Sequence, residues 1–289
     1  MQESRQNLAA TRVCLTGASQ AFKSTYMRLE GKVAVITGAS MGIGEAMAKL
    51  CVDEGALVVL SSRDEKRIEE ARARIGRPER TLGIFCDVRN REDLDRLLGL
   101  TLHNFGRVDI WVNNAGFGLR DTIADMPMRD CRNMFETNLF GAIEGIQVVA
   151  PVMMKQGSGT IINVSSVAGH IPVPGMGAYC ATKFALNAVG KTARMELAST
   201  GVKVMTVCPG YIETNFSKNV VRGSQANKFD PGARKGGTAE QVARATLEGY
   251  LKGKREVVVP WFYNIAIKFY QLIPGVVEGF MSKRLATGK

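Results

Sequence analysis

At 289 residues with 45% hydrophobic side chains, the chain can build one large α/β domain and requires no second. Its net charge of +11 comes from scattered Lys and Arg with no basic run interleaved with aromatics, which excludes a nucleic-acid reader and leaves solubility, anionic ligands or acidic membrane surfaces. Six widely spaced cysteines without a C-x-x-C pair point to a reducing, cytoplasmic compartment, and the two histidines, His103 and His170, have no second ligand at metal spacing, so no metal site is expected.

Residues 1–26 hold no long apolar segment and no sustained periodicity. They are expected to be a disordered extension, with Met27 the natural start of the chain. A strand over 33–36 then runs into Thr37-Gly38-Ala39-Ser40-Met41-Gly42-Ile43-Gly44 and a helix over 45–54. Glycines at a strand-to-helix turn let the backbone approach a pyrophosphate and present the helix N-terminus to its charge, although the spacing is not G-x-G-x-x-G. A second strand, 56–60, ends at Ser61-Ser62-Arg63. A carboxylate there would accept the ribose hydroxyls of NAD and repel a 2′-phosphate. Ser62 and Arg63 suit the phosphate instead, which predicts NADP(H) over NAD(H), with Asp64 facing solvent.

A third strand, 82–86, leads into Asp87-Val88. The Asp87 carboxylate is either an acceptor for an adenine amino group or the N-cap of a helix over 90–103. A fourth strand, 108–112, ends in Asn113-Asn114-Ala115-Gly116, at the edge where open α/β sheets bind ligands. Asn138 sits in a helical stretch that continues to about residue 155, and it is either a satisfied core amide or a water-holding group beside the site. The fifth strand, 160–164, is followed by Ser165 and Ser166, and a helix runs from Tyr179 to about residue 200. On that helix Tyr179 and Lys183 share a face, so an ammonium can approach the phenol and lower its pKa, as a general acid/base facing a carbonyl or alcohol oxygen requires.

A sixth strand, 202–207, ends at Cys208-Pro209-Gly210-Tyr211-Ile212-Glu213-Thr214. Residues 215–237 are polar and without period, which predicts a mobile lid over the site. Thr238 caps a helix to about residue 251, and 256–259 is a seventh strand. Strands alternating with helices predict a single-domain, doubly wound parallel sheet of about seven strands with helices on both faces.

With these residues in place, the chain resembles the short-chain dehydrogenase/reductases over 29–260. The resemblance rests on Thr37-Gly38-x-x-x-Gly42-x-Gly44, Asp87, Asn113-Asn114-Ala115-Gly116, Asn138, Ser166, Tyr179-x-x-x-Lys183, and Pro209-Gly210 with Thr214. It implies a Rossmann-like fold in which Tyr179 is the catalytic acid/base and Ser166 orients and polarises the substrate oxygen. Lys183 would bind the nicotinamide ribose and lower the Tyr179 pKa, and Asn138 would hold a water in the proton relay. Of the adjacent serines, which alternation places on opposite faces, the family interval selects Ser166. The implied cofactor contacts are Thr37, Gly38, Ser40, Met41, Gly42, Ile43 and Gly44 from the first turn. Ser62, Arg63, Asp87, Val88, Asn114, Ala115 and Gly116 follow from the next strand ends, with Tyr179, Lys183, Pro209, Gly210, Ile212 and Thr214 closing the site.

The reaction expected is hydride transfer between NADPH and a carbonyl, or the reverse with an alcohol. Phe117, Val173, Met176 and Tyr211 follow strand ends beside the catalytic groups and suggest a small apolar substrate: a ketone, a 3-oxoacyl group or a lipid- or steroid-like alcohol. The alternative is a nucleotide-binding regulatory or scaffold protein of the same fold without turnover. A homo-oligomer, dimer or tetramer, is expected. The tail, 261–289, concentrates aromatics, with Trp261, Ile265, Phe269 and Ile273 on one helical face, while Lys268 and Pro274 interrupt any spanning helix. The favoured expectation is a helix packed over the substrate pocket or a subunit partner. The other is peripheral membrane contact through 261–284, with Lys283 and Arg284 near the headgroups, as in some lipid- and steroid-acting members.

Overall fold

Strand β1, Val33–Thr37, is buried along its whole length, as an apolar run covered on both faces must be. The structure, a computed structural model, describes residues 27–287 except 215, 217–219 and 230–235. The expected extension at 1–26 and much of the expected lid lie outside those residues.

From β1 the chain passes through α1 (Gly42–Asp53), β2 (Leu57–Ser62), α2 (Glu65–Ile75), β3 (Thr81–Phe85), α3 (Arg91–Phe105) and β4 (Ile110–Asn113). It continues through the short β5 (Leu119–Arg120), α4 (Met128–Phe135), α5 (Gly141–Gln156), β6 (Gly159–Val164), α6 (Gly177–Glu196) and β7 (Val202–Pro209). The short β8 (Val221–Arg222), α7 (Ala239–Leu251), β9 (Glu256–Val259), α8 (Tyr263–Leu272) and α9 (Pro274–Thr287) complete it. One seven-stranded sheet has the order β3-β2-β1-β4-β6-β7-β9, and every neighbouring pair is parallel.

Alternation along β1 divides the core in two. Ala34 and Ile36 face a cluster with Met47 and Val52 of α1, Ile68 of α2 and Val242 of α7, whereas Val35 joins Leu94 and Leu97 of α3, Ile146 and Val149 of α5 and Ala193 of α6. Local signals set the helix ends: Asp64 caps α2 by accepting the Arg67 N–H, and Thr238 forms a full capping box with Gln241 on α7. The chain starts at the centre, runs outward to β3 and crosses back to β4, so the switch point lies between β1 and β4, where such sheets bind ligands beyond the strand ends.

Two parts differ from expectation. The described part of 215–237 is stitched down rather than free of structure. β8 pairs in parallel with β5, and the Gln225 N–H donates to Asp121 Oδ1 at 3.1 Å. Two-residue strands leave no periodicity to read. The tail is two helices, not one, because Ile273 and Pro274 end α8 before α9 begins.

Candidate active site

The floor of the site is the turn from β1 into α1. Thr37 Oγ1 accepts the N–H groups of Asn114 (3.0 Å) and Ala115 (3.1 Å) and donates to the Val112 carbonyl (3.2 Å). Asn114 Nδ2 answers by donating to the carbonyls of Thr37 (2.8 Å) and Gly38 (3.1 Å). The two strand ends on either side of the switch point are thereby locked together. Gly38 has φ +64°, and a Cβ there would fall 2.8 Å from Ala115 Cα; at Gly44 it would fall 2.5 Å from Asn114 Nδ2 and 2.6 Å from the Gly38 carbonyl. Only glycine permits this close approach. Because no side chain caps α1 at Met41, its first N–H groups are available to an anion, and the residues present fit a dinucleotide pyrophosphate.

Above this floor lies a cavity of about 1330 Å³. That exceeds the usual 300–1,000 Å³ or so of a single small-molecule site and leaves room for a dinucleotide beside a second ligand. Gly38, Ser40, Met41, Gly42 and Ile43 from the β1–α1 turn line it, with Thr214, Ser62, Arg63 and Val88. Asn114, Ala115, Gly116, Pro209, Gly210 and Ile212 line it from the ends of β4 and β7 and the turns after them. Phe117, Val173, Met176 and Tyr211 line the same cavity as Ser166, Tyr179 and Lys183. Four expected site residues, Thr37, Gly44, Asp87 and Asn138, stand behind this wall rather than on it.

Of these, Asp87 is not the cap of α3; Asn90 is, through the Glu92 N–H. The Asp87 carboxylate is instead clamped by Arg89 (Nε 3.0 Å, a second nitrogen 2.6 Å). Burial works to raise its pKa, but the Arg89 hydrogen bonds outweigh that and hold it below the usual carboxylate range. Asn138 lies in a π-helical turn, Glu136–Phe140, that joins α4 to α5. Such turns recur at functional sites because they re-aim a side chain. Here the amide accepts the Phe117 N–H (3.0 Å) and donates to the Phe117 carbonyl (2.8 Å) and Thr182 Oγ1 (3.3 Å). Each polar atom of Asn138 already has a protein partner, and the loop after Gly116 is fixed by it. Asn113, next to the site in sequence, is also structural, bonding Asn163 and the Trp111 indole.

Ser165 and Ser166 diverge as alternation requires. Ser165 Oγ donates to the Lys183 carbonyl (3.3 Å), while Ser166 Oγ donates to the Pro209 carbonyl (3.2 Å), accepts the Ala168 N–H (3.1 Å) and also bonds the Tyr179 phenol. Tyr179 is 8% exposed and packs against Phe216, with ring centroids 5.8 Å apart. Lys183 Nζ, 5.8 Å from the Tyr179 ring centre, donates to the Val164 carbonyl at 2.9 Å. Burial pushes the Tyr179 phenol up to about 12, with the Ser166 hydrogen bond opposing, and pushes the Lys183 ammonium down to about 8. The phenol thus lies above its ordinary value, where a lowered one was expected, because burial outweighs what opposes it. Desolvation dominates both groups, and the ammonium is aimed at a carbonyl.

Sequence reasoning missed Arg67, which lines the cavity from the first turn of α2, and Tyr263, Phe280 and Met281, which reach it from the tail. Arg67 lies just after the cap of α2, Asp64, so its nearness to Arg63 was a usable signal; the aromatic tail was marked, but not which of its residues reach the cavity. Spacing also hid a cluster of His170, Cys208 and Glu256, whose ligand-type atoms all lie within 4.8 Å of one another. They come from three separate segments, and His170 Nε2 bonds Glu256 at 3.4 Å.

A parallel sheet with a glycine cradle and an open helix N-terminus at its switch point defines a nucleotide-binding α/β enzyme. Residues 32–225 match the sequence profile of the short chain dehydrogenases. An oxidoreductase of uncharacterized role from Staphylococcus epidermidis is 36% identical over 220 residues, covering 76% of this chain and 91% of its own. Dehydrogenase/reductase SDR family member 7B of Xenopus tropicalis is 32% identical over 266 residues, covering 89% and 86%. Among solved structures, a short-chain dehydrogenase/reductase from Burkholderia phymatum in complex with NAD superposes with a TM-score of 0.79 at 25% identity, over 86% of this chain and 95% of its own. A short-chain dehydrogenase from Streptomyces avermitilis gives 0.77 at 28% identity, over 89% and 98%. The chain belongs to the short-chain dehydrogenase/reductase family and is an oxidoreductase acting on CH–OH groups with a nicotinamide dinucleotide.

Proposed function

We propose that the protein is an NADP(H)-dependent carbonyl reductase or alcohol dehydrogenase for a small apolar substrate. The observation that carries this is the convergence of Ser166, Tyr179 and Lys183 on the same cavity as the glycine cradle, with apolar Phe117, Val173 and Met176 around them. The dinucleotide, when bound, supplies or accepts the hydride. Tyr179 then gives a proton to the substrate oxygen or takes it back, and Ser166, already bonded to the phenol, holds that oxygen. Lys183 positions the ribose and keeps a positive charge beneath the phenol.

The preference for NADP(H) is supported by Ser62, Arg63 and Arg67 lining the end of the cavity after β2. Asp64, expected to face solvent, lines the same cavity, where its carboxylate caps α2 and pairs with Arg67 at 3.1 Å. That pair is half exposed and of little strength, so Arg67 can turn to a phosphate. An apolar substrate suits the wall of Phe117, Val173, Met176, Phe216 and Phe229. We also infer a homo-oligomer in a reducing cytoplasm; five free cysteines among the described residues support the compartment.

Catalytic efficiency with NADPH and NADH, measured on a panel of ketones, dialdehydes and 3-oxoacyl substrates, tests this. NADPH is expected to be preferred, and Ser62→Asp, which sets an anion beside the 2′-phosphate, should shift preference toward NADH with a penalty of about 1–3 kcal/mol. Equal efficiency with both cofactors in the unmodified enzyme would refute the assignment.

A further inference from the structure

Helix α8 is anchored through one face. Ile267 is 6% exposed, and the Tyr263 ring lies against Gly210, with its hydroxyl 3.5 Å from the Tyr211 N–H. At about 100° per residue, Ile265, Phe269 and Leu272 project to the side opposite Ile267. They are 61%, 51% and 80% exposed. Trp261 at 71% begins this face, and Val276 and Phe280 extend it onto α9 at 63% and 61%. An ordinary surface helix turns its apolar stripe inward; α8 carries a second stripe outward.

This is a patch rather than scatter. Eight of the seventeen exposed large apolar side chains among the described residues fall within 261–280. The tail does reach the pocket, through Tyr263, Phe280 and Met281, but Trp261, Ile265 and Phe269 of the expected face point outward while α8 packs through Tyr263 and Ile267. Charge indicates what covers the face. The last 29 residues carry Lys268, Lys283, Arg284 and Lys289 against the single carboxylate Glu278, in a chain of net charge +11. A second copy would bring the same cations together, whereas an anionic surface complements them. Position gives a third argument, since Tyr263, Phe280 and Met281 line the cavity that holds Tyr179.

We propose that α8 and α9 form a lipid-docking surface that seats the mouth of the catalytic cavity on an anionic bilayer. At 10 and 14 residues, neither helix is long enough to span, so they lie in the interface with the aromatic face down. An apolar substrate then passes between bilayer and cavity along Phe280 and Met281. Only this last point rests on the oxidoreductase reading; docking requires no turnover.

The two tryptophans make the test direct. Trp111 is fully buried in the core and Trp261 is 71% exposed, so a lipid-induced change in emission reports Trp261. The full chain should pellet with vesicles of equal phosphatidylglycerol and phosphatidylcholine, and its emission should shift to the blue, with less binding to phosphatidylcholine alone. Phe269→Ser combined with Leu272→Ser, both on the exposed face, should keep the circular dichroism of the unmodified protein and lower the bound fraction at least tenfold. Absence of pelleting and of the blue shift with the anionic vesicles overturns the proposal. So does a blue shift that follows protein concentration without lipid, with a dimeric mass and no vesicle binding, because the face would then belong to a second copy. Vesicle binding together with no turnover of any carbonyl counts against the oxidoreductase reading alone.

Discussion

Tyr179 and Lys183 lie one helical turn apart, and loss of water acts on them in opposite senses. The phenol is pushed up to about 12 and the ammonium down to about 8, so across the working range Tyr179 keeps its proton while Lys183 is the group that titrates. This suits the reductive direction, in which the phenol must give a proton away. A depressed lysine pKa means the charge is present below about 8 and lost above it. Reductive kcat/KM, which reports groups of the free enzyme, should therefore decline as pH rises through about 8. Lys183→Arg keeps its charge throughout, so its residual activity should hold to higher pH. An unchanged midpoint in that variant would remove Lys183 as the titrating group. The pairing of Tyr179 with Lys183 was legible because four residues is one helical turn. The direction of the pKa change was not, because burial belongs to the assembled core and leaves no mark in local sequence.

At the level of elements, strands and caps followed local chemistry. Val33, Val35 and Ile36 read as a buried strand, and Thr238 with Gln241 read as a helix start, because the forces that set them act within a few residues. The β5–β8 pair depends on partners distant in sequence and escaped; the apolar stripe of α8 was legible from its spacing, but which side of it packs on the protein was not. The turn from β1 to α1 shows how closely an element can be specified. Gly44→Ala would drive a methyl group to 2.5 Å from Asn114 Nδ2 and 2.6 Å from a backbone carbonyl, so the helix or the β4 edge must move. A cost on the order of 1–3 kcal/mol is expected, seen as a fall of several degrees in Tm together with weaker dinucleotide binding. An unaltered Tm would show that α1 is less tightly seated on Asn114.

Across the whole molecule, strand order does the assembling. Crossing from β3 back to β4 opens the crevice, and the glycine turn after β1, Ser166 and Tyr179 after β6, and Pro209 at the end of β7 reach it from three strand ends. The same topology gathers His170, Cys208 and Glu256 behind Pro209, where the His170 hydrogen bond outweighs burial and keeps the Glu256 carboxyl below its usual range. A scaffold protein of this fold would need the crevice but not the proton donor, and that difference gives the most direct measurement. Single-turnover oxidation of bound NADPH by an apolar ketone should be rapid in the unmodified protein. In Tyr179→Phe, with NADPH affinity little changed, it should fall below a few per cent. Retention of more turnover than that by Tyr179→Phe, or no oxidation by either protein with any carbonyl, would contradict the account.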